Sequence, residues 1–303
     1  MLNVAHNELQ APQQWLAAQR KHEHLADTLS AGRRHRAMRG IKEPVSDFLW
    51  EYYGVKPRHL RRWEPGVGVR LARPRQSGAE LDAWREIAGR RWFVSDEDAT
   101  WLDADAWRTD RGRGASFIRS VIEAVEMREP RLGCLGLHEW AMVYEGEPRH
   151  PLPLRLGREG SDEVTRSLPI RCTHFDAFRF FTPNARPLNE FQPNADTVVA
   201  MEQPGCLHQN MDSLRYCLKL GPIVPGSLLL ESFQFALEVR KLDMAASPYL
   251  CEGLDPVRIE TQEGRAQYIE RQRAFMERGH RLRLRLLNVL DKAGVRPRAS
   301  EQA

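Results

Sequence analysis

The amino-acid sequence predicts a mainly α-helical protein, α+β at most with a few short strands, whose helical core runs from about residue 116 to 292. Three observations predict this. Apolar residues recur at helical spacing along several long stretches. Capping and terminating residues bound those stretches. Strict apolar/polar alternation, the mark of a half-buried strand, is confined to one short segment. A chain of 303 residues can form one large domain or two small ones. We divide it into a basic N-terminal helical region (1–75), a loop-rich connecting segment (76–115) and a helical core (116–295) that carries the candidate active site.

Residues 10–30 are polar and helix-compatible. Pro44 to Gly54 reads as a short helix, with Ser46 as its cap, Asp47 favouring its first turn and Gly54 ending it. Residues 65–115 carry Pro, Gly and Asp without a long periodic run, so loops and short elements are expected. Glu64-Pro65-Gly66-Val67-Gly68-Val69-Arg70 has the glycine spacing of a helix-hairpin-helix phosphate loop. Pro65 and Pro74 deny it flanking helices, and a plain turn is expected. From Ser116, the residues Phe117, Val121, Ala124 and Val125 make an apolar face that Pro130 ends. Leu230, Phe233, Leu237 and Met244 make another, starting near Ser227. The last helix runs from about Thr261 to Lys292, with Tyr268, Phe275, Leu282, Leu286 and Val289 as its packing stripe. In Ile170 to Phe181, alternation puts Cys172, His174, Asp176, Phe178 and Phe180 on one face, and the aromatic content favours a strand over a helix.

The formal net charge is only +4, yet it is unevenly distributed. Arg33, Arg34, Arg36, Arg39 and Lys42 form one basic run; Lys56, Arg58, His59, Arg61 and Arg62 form a second. Such runs either attract phosphate or make a solvated, arginine-rich surface. No apolar run is long enough to cross a bilayer, and Met1 to Gln10 lacks the layout of a secretory signal. Five cysteines, an odd number, do not suggest a disulfide framework. The protein is therefore expected in a reducing cytoplasm, with Cys134, Cys172 and Cys206 unpaired. The sequence identifies no protein partner.

Three short segments each hold a cysteine, a histidine and a carboxylate: Gly133 to Trp140, Arg171 to Asp176, and Gly205 to Asp212. One reading is an open metal site for iron or zinc, with His138, His174, His208 and Asp212 as ligands. His208 and Asp212 are four apart and share a face of a helix. Established spacings are missing: Met142 stands where His-Glu-x-x-His needs its second histidine, and Gly279 weakens a helix through Glu277-Arg278-Gly279-His280. A second reading is acid–base chemistry by Asp176 beside His174 and Glu139 beside His138. Trp140, Tyr144 and Phe178 would then line a pocket for a planar ring, with Arg179 and Asn210 contacting the substrate. The bland alternative makes the aromatics core and pairs the carboxylates with Arg171, Arg179 or Arg186.

Segments spread over most of the chain outside 67–130 are similar to a bacterial family labelled 3-methyladenine DNA glycosylase. They are Asp47-Phe48-Leu49 with Tyr52-Tyr53, Leu60-Arg61-Arg62-Trp63, Gly136 to Tyr144, Arg171 to Phe181, Glu202 to His208, Leu242-Asp243-Met244, Ser247-Pro248-Tyr249, Ile259-Glu260-Thr261 and Glu263-Gly264-Arg265. The resemblance implies a DNA repair enzyme that hydrolyses the bond between an alkylated purine and deoxyribose, without a cofactor. Asp176 or Glu139 would position water, His174 and His208 would contact base or phosphate, and the basic runs would hold DNA. The chain lacks both an intact helix-hairpin-helix followed by a catalytic aspartate and the Cys/His zinc arrangement of the small alkyladenine enzymes. Two alternatives stand beside this expectation: a metal-dependent oxidoreductase or hydrolase acting on a small molecule, and a non-enzymatic nucleic-acid-binding protein.

Overall fold

The computed structural model describes residues 8–298 and is mainly α-helical with a few short strands. Strand β1 (Glu8–Gln10) leads into α1 (Pro12–Met38). This helix starts at a proline, whose missing N–H is no loss at a first helical position. It buries Trp15, Leu16 and Ala26 and runs well past the expected residue 30. Two short helices follow, α2 (Phe48–Tyr52) and α3 (Pro57–Arg61). Gly54, at φ +63°, ends α2 as expected. Ser46 does not cap it. Asp47 stands at the cap position, and its carboxylate is taken by Arg33 (3.1 Å) and Arg36 (2.5 Å).

Residues 65–115 hold more regular structure than a loop-rich segment. Gly66 and Gly68, both at positive φ, make the expected turn, and the chain then enters β2 (Val69–Ala72). Helix α4 (Ala79–Ala88) and the strands β3 (Phe93–Ser95) and β4 (Ala99–Leu102) follow. The sheet order is β1-β2-β4-β3, with β1 and β2 parallel and the other pairs antiparallel, in the register Leu71↔Thr100 and Val94↔Trp101. The acidic residues that resemble loop punctuation have local tasks here. Asp96 folds the β3–β4 turn by accepting the N–H groups of Asp98 and Ala99. Asp103 caps α5 (Ala104–Glu126) by accepting those of Asp105 and Ala106. The helical pattern legible from Ser116 thus begins at Ala104.

The remaining helices are α6 (Leu137–Ala141), α7 (Gly157–Ser167), α8 (Phe175–Phe178), α9 (Val198–Met201), α10 (Leu207–Leu220), α11 (Gly226–Ala245) and α12 (Gln262–Lys292). The segment Ile170 to Phe181 is not a strand. Only Ile170 makes a bridge, to Asn189. The Asn189 side chain then occupies both the N–H (2.8 Å) and the C=O (2.9 Å) of Cys172, in place of a neighbouring strand, and the chain turns into α8. Thr261 caps α12 through Gly264 N–H, as its sequence position predicts. Eleven of the fourteen residues of α10 are buried, against α11, α12 and α5, which makes it the central helix. One continuous apolar core runs from Trp15 to Val295 and draws on all three segments of the sequence. No described helix is long and apolar enough to cross a membrane.

Gly279 lets α12 approach α10. A Cβ there would meet Asn210 Oδ1 at 1.8 Å, and Asn210 is held by Pro204 O, Cys206 O and Arg283. Gly279→Ala is expected to lower stability by about 1–3 kcal/mol through overpacking, measurable as a shifted urea midpoint. An unchanged midpoint would show that the two helices separate freely.

Candidate metal centre

Two neighbouring residues of α6 face two residues one turn apart on α11. Gly136, at φ +73°, opens α6, and a Cβ there would meet Ala246 and Tyr268 at 3.4 Å, so the helix comes close to the end of α11. His138 Nε2 is 2.8 Å from Asp243 Oδ1. Glu139 Oε1 accepts a bond from Arg240 Nη1 at 2.7 Å, and the same nitrogen donates to Asp243 Oδ2 at 2.6 Å. All four side chains are buried. The Arg240 guanidinium also lies over the Phe48 ring at 4.0 Å, which covers the face its hydrogen bonds leave open.

His208, in the first turn of α10, meets His138 edge-on at 4.4 Å and stacks on His174 at 5.2 Å between ring centroids. His174 precedes α8 and is 3% exposed; His208 is 7% exposed. Neither ring of this stacked pair makes a hydrogen bond to the described residues. His174 Nδ1 is ion-paired with Glu202 Oε1 at 2.7 Å but outside hydrogen-bond geometry, and among the described residues His174 Nε2 and Glu202 Oε2 have no hydrogen-bond partner. Buried polar atoms left in this way cost about 1–3 kcal/mol each unless something else satisfies them. Two sets of donor atoms result: His138, His208 and Asp243, and beside it His174, Glu202 and Cys206. Within each set the donors lie within 4.8 Å of one another, and every member is buried.

Charge follows this geometry. Burial alone would lower the pKa of His138, but Asp243 overrides it and raises the value well above the ordinary imidazole range. Burial would raise Asp243, yet His138, His208 and Arg240 hold its carboxyl far below normal. Burial and the neighbouring His138 push His208 well down, so it presents a neutral imidazole, the form that binds metals. His174 is lowered by burial and raised on balance by Glu202. Burial raises the Cys206 thiol well above its usual value. All five cysteines are free and buried, as expected for Cys134, Cys172 and Cys206.

The cluster separates two cavities. The larger, about 500 Å³, has a mostly apolar wall from α5 (Trp107, Phe117, Ile118) and ends at His174, Glu202, Asp212 and Arg215. The smaller, about 210 Å³, is lined by Phe48, Tyr52, Glu139, His150, His208 and Arg240. Asp176 borders both. It is ion-paired with Arg215 and, at 3.2 Å, with Arg179; burial would raise its pKa, but Arg215 lowers it.

The histidines singled out by sequence, His138, His174 and His208, are brought together. Asp212 is not part of either donor set. It accepts from Tyr53 Oη (3.2 Å), pairs with Arg215 (3.1 Å) and faces the larger cavity. Trp140, Tyr144, Phe178, Arg179 and Asn210 line neither cavity. Trp140 is core, its indole N–H bonded to Ala246 O, and Tyr144 is buried under Arg166. Phe178 packs on Phe181, Arg179 covers Phe180, and Asn210 anchors the start of α10. Sequence reasoning missed Asp243, Glu202 and Arg240 as site residues. The available signal was an Arg-x-x-Asp pair, Arg240 and Asp243, inside an otherwise apolar stretch of α11. No family model, curated protein or solved structure matches the chain.

Proposed function

We propose that this protein is a metal-dependent enzyme acting on a small molecule held in the larger cavity, with a zinc or iron ion bound by His174, Glu202 and Cys206. The observation that carries this reading is the buried His174, whose ring nitrogens make no hydrogen bond to the described residues although the Glu202 carboxylate lies 2.7 Å from Nδ1 and the Cys206 thiol shares the cluster. A nitrogen, oxygen and sulfur donor set suits zinc and iron better than magnesium or calcium. Three protein ligands leave a position open for water or substrate, where the ion acts as a Lewis acid. The cavity volume of about 500 Å³ falls in the range of small-molecule sites. Its apolar wall and polar end favour a substrate with an apolar body and a polar head.

Elemental analysis of the purified protein should find at least about one equivalent of zinc or iron, removed by chelation together with activity. A fully active protein free of transition metal overturns the reading.

A second reading keeps the activity implied by the family resemblance, hydrolysis of alkylated purines from DNA. Trp107, Phe117 and Phe175 in the larger cavity favour it, since they could sandwich a planar base. The basic runs support it less. Arg33 and Arg36 are engaged with Asp47, Arg34 with Asp27, Arg61 with Glu23 and Asp27, and Arg62 with Glu64. Release of 3-methyladenine from alkylated DNA, undiminished by chelator, would favour this second reading.

A further inference from the structure

We infer that the centre holds two ions, the second a divalent transition metal bound by His138, His208 and Asp243 at the edge of the smaller cavity. This deepens the reading above and rests on it for the first ion. The stacked imidazoles carry the argument. His174 belongs to one donor set and His208 to the other, their rings 5.2 Å apart, so two ions would occupy adjoining positions in one buried centre. His208 is more than nine-tenths buried, makes no hydrogen bond to the described residues and borders the smaller cavity. Neither the two imidazoles nor the Asp243 carboxylate beside it makes a hydrogen bond to its ring; an ion shared with His138 and Asp243 would engage it.

The surroundings fit that role. Asp243 keeps one oxygen toward His138 and gives the other to Arg240. Arg240 is in turn fixed by Glu139. A ligand carboxylate backed by a buried cation, itself held by a second carboxylate, is the outer support that metal sites require. Without an ion, a proton bridges His138 Nε2 and Asp243 Oδ1. A divalent ion takes its place and the proton leaves to solvent. The second ion would meet water or a small polar group from the smaller cavity, whose volume is about 210 Å³. Two ions on either side of one reacting group can stabilise both the attacking and the leaving atoms.

Titration of metal-free protein with Co²⁺ tests this independently of activity, because only the ion bound to Cys206 gives a thiolate-to-cobalt charge-transfer band. Wild type is expected to bind about two equivalents, one with that band and one without. His208→Gln should bind about one, with the band intact. In Cys206→Ser the band should vanish while the second ion is retained. Binding of one equivalent with the band by wild type, or of two by His208→Gln, overturns the second ion and leaves the first. Absence of both band and binding overturns the two together. Circular dichroism of each variant, compared with wild type, separates loss of a ligand from loss of the fold.

Discussion

His174→Ala is expected to remove metal-dependent activity by more than about 100-fold, a larger loss than outer-shell partners produce. Metal-free variant and metal-free wild type should nevertheless unfold within a few degrees of each other. The ring makes no hydrogen bond to the described residues, and without it the buried Glu202 loses its ion-pair partner but can take up a proton in the metal-free state, which limits the loss. In the presence of zinc the two should diverge, because only wild type gains binding free energy on folding. The paired measurements are turnover and thermal midpoint, each with and without metal. A variant that keeps activity but unfolds early, metal or no metal, would make His174 a structural residue and defeat the proposed site.

Arg240→Ala should act first on stability. It leaves Glu139 as a buried carboxylate without its cation and Asp243 with His138 alone, and removal of one partner from a buried ion network costs about 3–5 kcal/mol. That is a large fraction of the total stability of an ordinary domain. The urea midpoint should drop accordingly. Pairing the change with Glu139→Gln should recover part of the loss, because one uncompensated charge is then gone. A loss below about 1 kcal/mol would mean that water reaches the network and screens it.

The parts of the fold legible in sequence are those fixed by neighbours in the chain. Helix α12 was readable almost to the residue because its cap at Thr261, its apolar stripe and its length are all local properties. The sheet was not, because the strands are three or four residues long and gain definition only when Leu71 meets Thr100 and Val94 meets Trp101. The segment before α8 differs for a related reason: alternation predicts a strand, but only Ile170 makes a bridge, and the Asn189 side chain takes the place of a neighbouring strand at Cys172. The same division governs the site. Its histidines lay in visibly similar clusters with cysteine and carboxylate. The partners that define their chemistry did not: Asp243 reaches His138, and Arg240 reaches Glu139, across 105 and 101 residues. A spacing of four residues puts Asp212 on the face of His208, yet Tyr53 and Arg215 claim it.

The burial of every thiol has a consequence for how the folded protein weathers oxidants and electrophiles. Such reagents attack the thiolate, and burial suppresses that form, raising Cys172 and Cys251 and pushing Cys217 up to about 12. In the folded chain Cys172, Cys217 and Cys251 are therefore chemically quiet. Modification has to wait for the structure to open, so its rate becomes a clock for internal breathing rather than a measure of intrinsic reactivity. Cys217, inside α10, marks openings of the central core. Cys251, in the smaller cluster with Val45, Val143, Met244 and Tyr249, marks those of the chain beyond α11.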